Sequence, residues 1–249
     1  YRRASKSESD QIREYLRQIS SEHRIKACAT ALAAQINKNN RYAAEEVTAY
    51  VTRVISEMDE DALNAMESSI PFYASKIRDK IDEYETDYRR NKFDDLIEMN
   101  KIVCREENAY VFPKVITPSY GFDKLEKSLY TAESDDMNNF EFKLIGSIAE
   151  LDNVVWWHRV IDRRGFRLNG FINHYPDFIV KTKSGNIILV EAKGEQLKND
   201  DSKDKLTLGK KWDMMCGTKF KYYMVFEHKD MEIQGSYTMD KFIEILKNL

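Results

Sequence analysis

The sequence predicts an α/β protein: a mixed β-sheet flanked by helices, preceded by a mainly α-helical N-terminal region. Three observations carry this. Apolar residues recur at helical spacing through about the first 90 residues. Beyond Asn139 the pattern becomes helix, several short apolar runs, helix, apolar run, helix, the order of an α/β sandwich around a mixed sheet. Within it, the runs FIV and IILV flank the turn sequence SGN in YPDFIVKTKSGNIILVEAKG, residues 175–194.

The elements follow in order. Residues 6–39 (KSESDQIREYLRQISSEHRIKACATALAAQINKN) combine helical spacing with strong helix formers, and Tyr42 to Met58 continue the pattern. Asp59 is an expected N-cap for a helix opening at Asp61 and Leu63, and Pro71 suits the first turn of the next helix, residues 69–93. Asp94–Val103 and Ala109–Ile116, with Pro113 and Pro118 and many β-branched and aromatic residues, read as strand and loop, and Phe122–Tyr130 as a short helix. Thr131–Asn139 is polar and acidic, a linker by composition, which gives a helical region over 1–130 and a second domain over 131–249. In the latter, Asn139–Leu151 reads as a helix, Val154–Asp162 as a strand, Arg163–Gly165 as a turn and Phe166–His174 as an extended run entering the 175–194 hairpin. Asp201–Met215, Lys221–His228 and Asp240–Leu249 complete the series as helix, strand and helix.

Bulk properties narrow the function classes. No apolar run approaches the roughly 20 residues needed to span a bilayer, so no membrane is expected. Cys28, Cys104 and Cys216 are far apart and odd in number, which reads as free thiols in a reducing, cytoplasmic setting. The net charge is −3, yet residues 154–229 hold 15 Lys and Arg against 9 Asp and Glu, leaving −9 on the remainder. Such a basic segment on an acidic chain suits phosphate recognition. No HExxH or GxSxG is present, so a zinc hydrolase and a serine hydrolase are not expected.

The hairpin stretch poses the chemical question. Asp177 enters the first apolar run, while Glu191 and Lys193 leave the second. Burying charges at such places is costly unless they are paired or bind a metal. With the turn at Ser184-Gly185, antiparallel pairing brings Asp177 nearly opposite Glu191, and Lys193, two residues on, shares the face of Glu191. Hard oxygen ligands so gathered suit Mg²⁺. A solvated ion pair at a strand end is the plain alternative. Pro176 before the Asp, four apolar residues before the Glu and Gly194 after the Lys weigh against it.

PD, 13 intervening residues and EAK resemble the motif of the PD-(D/E)xK nuclease superfamily. The segment Asn139–Glu227 is similar to the C-terminal endonuclease domain of type III restriction enzymes (their Res subunit) and related helicase-nucleases. The resemblance is carried by the helix with Glu141, Trp156-Trp157, YPDFIV, ILVEAKG and the later Asp201, Lys205 and Trp212. It implies a restriction-endonuclease-like fold and a Mg²⁺-dependent endodeoxyribonuclease, with Mn²⁺ able to substitute. In that reading Asp177, Glu191 and the carbonyl of Ala192 hold the metal, and Lys193 positions or activates water. Glu141 and Gln196 are further catalytic candidates, while Arg163, Arg164, Arg167, Lys198, Lys205 and Lys211 are candidate contacts to double-stranded DNA. Arg159 is another candidate phosphate contact, and a packed or surface role is expected of His174. No GxxxxGK[ST] is present, so the resemblance places a helicase portion, and a methyltransferase subunit, outside this chain, as expected of a C-terminal part of a restriction-modification or phage-defence enzyme. A two-strand cut needs two sites or two events, which leaves a dimer open. The alternative expectation is a non-catalytic nucleic-acid-binding or assembly module.

Overall fold

A computed structural model describes residues 21–105, 109–117, 121–123, 125–197 and 199–249. The helix expected before Ser21, Pro118 and the DNA-contact candidate Lys198 lie outside the described residues. The chain divides into two compact units, Tyr1–Arg89 and Arg90–Leu249.

Among its described residues the first unit is helical. Helices α1 (Ser21–Ile36), α2 (Ala44–Ser56) and α3 (Glu60–Ser68) follow one another, and α4 (Ile70–Glu98) begins there. Cys28, Leu32, Val51, Ile55 and Met66 form its buried core, the apolar stripes that helical spacing requires. Asp59 caps α3 as expected, its carboxylate accepting the Ala62 N–H at 2.8 Å. Arg24 on α1 grips Glu67 on α3 through two hydrogen bonds of 2.6 Å, satisfying a fully buried carboxylate.

Helix α4 runs to Glu98, correcting the strand and loop expected from Asp94. It stops where Asn100 takes a left-handed conformation (φ 54°) and the N–H groups of Lys101 and Ile102 return to the Leu96 carbonyl. The short helix expected over Phe122–Tyr130 is not found among its described residues. Strand β1 (Phe122–Asp123) pairs antiparallel with β2 (Glu133–Ser134) instead. Nor is the acidic stretch Thr131–Asn139 a free spacer: Glu133 is completely buried, its carboxylate taking His158 Nδ1 at 2.8 Å and the backbone N–H groups of Tyr130 and Arg159 at 3.3 Å. Those partners, two of them 25 and 26 residues away in sequence, supply what burial of a carboxylate demands.

Helix α5 (Asn139–Ala149) leads to β3 (Val154–Arg159). The extended run expected at Phe166–His174 is a small hairpin, β4 (Leu168–Asn169) against β5 (Asn173–His174). Then come β6 (Phe178–Thr182), β7 (Ile187–Lys193), helix α6 (Asp200–Cys216), β8 (Phe220–Phe226), β9 (Ser236–Thr238) and helix α7 (Met239–Lys247). The main sheet has the order β3-β6-β7-β8-β9, antiparallel on the β3 side and parallel from β7 onward. This is the α/β fold with a mixed, helix-flanked sheet that the sequence predicts, with β9 added at its edge. Strands β3, β7 and β8 therefore end at the same side of the sheet, beside the start of β6.

Both faces are buried, by alternation. Phe178, Val180, Ile188, Val190, Tyr223 and Val225 pack with Leu144, Ile145 and Ile148 of α5 and Phe242 and Leu246 of α7. Ile179, Leu189, Tyr222 and Met224 face the other way, with Leu206 and Leu208 of α6. The β6–β7 turn needs its glycine, since Gly185 has φ +88°. Helix α6 lies so close to the sheet that a Cβ on Gly209 would stand 2.3 Å from the Tyr222 ring.

Cys104 and Cys216 form a disulfide across 112 residues, with Cα atoms 5.3 Å apart, which corrects the expectation of three free thiols. Spacing along the chain gave no sign of it, because the fold supplies the proximity. Cys28 is a buried free thiol. Among the described residues no helix is long and apolar enough to cross a membrane.

Replacing Gly209 with Ala forces a methyl group into the Tyr222 ring and is expected to cost about 1–3 kcal/mol of stability, as overpacking does. Urea unfolding of Gly209→Ala measures this; an unchanged midpoint would show that α6 yields without penalty.

Candidate metal and phosphate site

The β6–β7 register sets the site. Phe178 pairs with Val190, so the next step of the ladder brings Asp177 against Glu191. The Ala192 N–H donates to Asp177 Oδ2 at 2.7 Å and fixes that carboxylate. Glu191 and Lys193, two residues apart on β7, share a face, and Lys193 Nζ stands 2.7 Å from Glu191 Oε1. All three predicted residues thus meet at the strand ends. Their side chains are largely withdrawn from water, with exposures of 18% for Asp177, 5% for Glu191 and 10% for Lys193.

Glu191 is half satisfied. Oε1 has Lys193, with Lys205 Nζ of α6 at 4.0 Å, while the buried Oε2 has no hydrogen-bond partner. Such an orphaned buried carboxylate oxygen is rare and costly in a protein interior. His174, expected as a packed or surface residue, is buried beside it, with Nε2 at 3.8 Å from Oε2 and at 2.8 Å from the Tyr222 hydroxyl.

Arg159 is the residue that sequence reasoning underrated. It ends β3 opposite Phe178 and is buried, with Nη1 at 2.9 Å from Asp177 Oδ1, Nε at 3.1 Å from Asp136 Oδ1 and Nη2 at 3.2 Å from Glu141 Oε2. Its guanidinium lies 5.2 Å from the Phe178 ring centroid. The available signal was the one that exposed Asp177: a charge closing a buried strand, after VVWWH.

Glu141 is drawn into the site by a capping box. Asn138 accepts the N–H groups of Phe140 and Glu141, and Glu141 Oε2 accepts the Asn138 N–H, each at 3.0 Å. The remaining candidates stand apart. Exposed Gln196 lies on a 3-10 turn (Glu195–Leu197), its amide folded over Gly194. Arg163, Arg164 and Arg167 are exposed, Arg163 facing Asp162 at 3.5 Å, and Lys211 pairs with Asp94 at 2.7 Å. Among the described residues none of these four is ion-paired to the Asp177–Glu191 cluster. Lys205 does reach it, held also by Asp201 at 3.0 Å.

The electrostatics follow from burial. Desolvation, then the Glu191 charge, pushes the Asp177 carboxyl up to about 7, with Arg159 opposing. Burial likewise raises Glu191, against Lys193, and raises Glu141, assisted by Asp177. Burial alone would lower the Lys193 ammonium, but Glu191 outweighs it and holds the group above the usual lysine range. Lys193 is therefore a cation here, able to orient and to offset negative charge and unable to take a proton from water. His174 is neutral, lowered to about 3 by burial and then by Lys205 and Lys193.

Among the described residues no three His, Cys, Asp or Glu side chains form a metal cage by themselves. The donor set fits a hard divalent cation in a sparer way: the open Oε2 of Glu191, the adjacent Asp177 carboxylate and backbone oxygen, with the rest left to water and substrate, as Mg²⁺ commonly accepts.

The raised Asp177 pKa makes stability depend on pH. The ordinary value is 3.8 and the folded one about 7, so this contribution is complete below about pH 4 and is lost as pH rises through 7. His174 acts oppositely: its contribution is complete above about pH 6.5 and is lost as pH falls toward 3. In urea unfolding without divalent ions, Asp177→Asn is expected to gain on the parent chain between about pH 4 and 7, by roughly 4 kcal/mol at most. A constant difference over that range would show an Asp177 carboxyl that titrates as in a free peptide.

Compared with models of known families, with curated proteins and with solved structures, the chain matches none.

Proposed function

We propose that the unit from Arg90 onward is a divalent-cation-dependent endonuclease domain, cleaving phosphodiester bonds of double-stranded DNA on a restriction-endonuclease-like fold. One observation carries it: the buried Glu191, the half-buried Asp177 and Lys193 meet at adjacent strand ends, with one buried oxygen of Glu191 unpartnered. The choice of DNA, and the place of the chain in a type III restriction or phage-defence enzyme with helicase and methyltransferase parts elsewhere, rest on the resemblance of PDFIV and EAK to that family.

Asp177, Glu191 and the Ala192 carbonyl are the groups that would hold Mg²⁺ or Mn²⁺. When bound, the ion supplies Lewis-acid polarisation of a phosphoryl oxygen and of water. Lys193 keeps its proton at Nζ and offers hydrogen bonds and positive charge to a phosphoryl oxygen as charge builds there. Arg159 and the Ala192 N–H hold Asp177 in one orientation, so little reorganisation is left for the reaction. Water adds to phosphorus, the P–O bond to the leaving sugar oxygen breaks, and a phosphomonoester and an alcohol result. Lys205 lies within reach of the same oxygen of Glu191 and extends the positive side of the site toward α6.

A second reading, a non-catalytic nucleic-acid-binding or assembly module, is favoured by one feature: both oxygens of Asp177 are engaged within the protein, by Arg159 and by Ala192.

The test is nicking of supercoiled plasmid in millimolar Mg²⁺ or Mn²⁺. Weak nicking that EDTA abolishes is expected, with Glu191→Gln and Lys193→Met each slowing it by roughly 100-fold or more at unchanged circular dichroism. DNA binding without any nicking would establish the second reading, and full activity of a folded Lys193→Met would overturn the assignment of the site.

A further inference from the structure

We infer that Arg159 is a built-in cation that makes this a one-metal site. The chain takes a single divalent ion at the Glu191 oxygen and Asp177, and the guanidinium stands where a second ion would otherwise be needed. The inference rests on the metal-dependent reading above and goes beyond it, to stoichiometry and to the residue that sets it.

Arg159 is placed as a fixture. Its backbone N–H is held by Glu133, its side chain is 9% exposed, and Phe178 packs on the guanidinium. Three of its nitrogens each meet a different carboxylate, from Asp136, Glu141 and Asp177, at 2.9–3.2 Å. A guanidinium is charged at every accessible pH and its fork is rigid, so it can hold three anions in fixed directions as a metal ion does. The convergence lies on the α5 side of the sheet. The open oxygen lies on the other: Glu191 shares its face with Leu189, which packs toward α6. Asp177, at the ladder's end, touches both. The two faces therefore offer one filled cation position and one open oxygen.

Charge gives the same count. With Asp136, Glu141, Asp177 and Glu191 ionised, Arg159 and Lys193 leave the cluster at −2, and Lys205 is balanced by Asp201. One divalent ion neutralises it; two would leave it at +2 around a filled position. Without Arg159, one buried and two half-buried carboxylates would face one another with no counter-ion between them, an arrangement that persists only by protonation or by capture of a cation.

Mn²⁺ titration of the full chain, followed by electron paramagnetic resonance, decides the matter without reference to cleavage. One Mn²⁺ per chain with no Mn–Mn coupling is expected. Arg159→Gln is expected to lose thermal stability without metal, to regain it in Mn²⁺, and to bind a second ion that couples to the first. Glu141→Gln, which keeps Arg159, is expected to retain one site with affinity changed by less than about threefold, since Glu141 belongs to the guanidinium, whereas Glu191→Gln loses the site. A loss of about tenfold or more in Glu141→Gln, the scale of a lost ligand or close support, would make Glu141 part of the metal's own shell and overturn the inference. Two coupled ions in the unaltered chain, or a folded Arg159→Gln that still binds one, would also overturn it while leaving the metal reading intact. No bound Mn²⁺ at all would remove both. Should Arg159→Gln fail to fold even in Mn²⁺, the count in the unaltered chain and the Glu141→Gln affinity decide.

Discussion

The antiparallel pairing of β6 with β7 is the constraint on which the site depends. Phe178 opposite Val190 fixes every later neighbour, because a slip of one residue in a strand turns each side chain to the other face. In this register the Ala192 N–H lands on Asp177, and Glu191 and Lys193 turn toward α6. The turn that sets it is small and specific. Gly185 supplies a left-handed φ, while Thr182 and Asn186 are tied by backbone and side-chain hydrogen bonds, the Asn186 N–H reaching Thr182 Oγ1 at 3.2 Å. A slipped hairpin would send Asp177 and Glu191 into opposite apolar layers, each without its cation.

Given that register, the rest of the sheet end is arranged around charge. The parallel strands β7 and β8 and the co-directed β3 bring their carboxyl ends together, a place where α/β sheets leave a crevice open to ligands. Arg159 reaches Asp177 from the α5 side, and Lys205 reaches Glu191 from the α6 side. Both central carboxylates thereby have a cationic partner, while Glu191 Oε2 is left without a hydrogen bond. Removing one member of such a set is more damaging than the whole set is stabilising, because it leaves a desolvated charge without its partner. Satisfying most of the cluster internally and leaving a single oxygen open confines the expense of burial to the point where a ligand can relieve it.

How much of this was legible depended on whether the signal was local. Asp177, Glu191 and Lys193 stood out because each interrupts or closes an apolar run, and Ser184-Gly185 fixed their register within 20 residues of chain. The helices of both units were legible from spacing, and Asp59 from its position before a helical run. Arg159 was visible but undervalued: a lone Arg after an aromatic strand reads as solvated until Asp136, Glu141 and Asp177 are brought to it by the fold. Glu133 and His158, 25 residues apart, and Cys104 and Cys216, 112 apart, depend wholly on tertiary proximity. Strand β9 was missed because its three residues, Ser236 to Thr238, are too few to show a period, and the end of α4 was misplaced because β-branched residues after Asp94 outweighed the left-handed stop at Asn100.

The protonation of Lys193 changes what the constellation means. In sequence, a lysine two residues after a glutamate leaves open whether it serves as base or as cation. In the fold, Glu191 lies 2.7 Å from its ammonium in a site where burial works against the charge, and the carboxylate prevails. The same contact withdraws Oε1 of Glu191 from any other ligand and leaves Oε2 as the oxygen on offer. Lys193 thus acts twice by one interaction: it selects which glutamate oxygen is free, and it remains a charged donor beside it. Asp177 is treated likewise by Arg159, so that a cation built into the protein orients each of the two central carboxylates. A bound divalent cation is what would give that shared pattern, with Glu191 Oε2 unpartnered, a use.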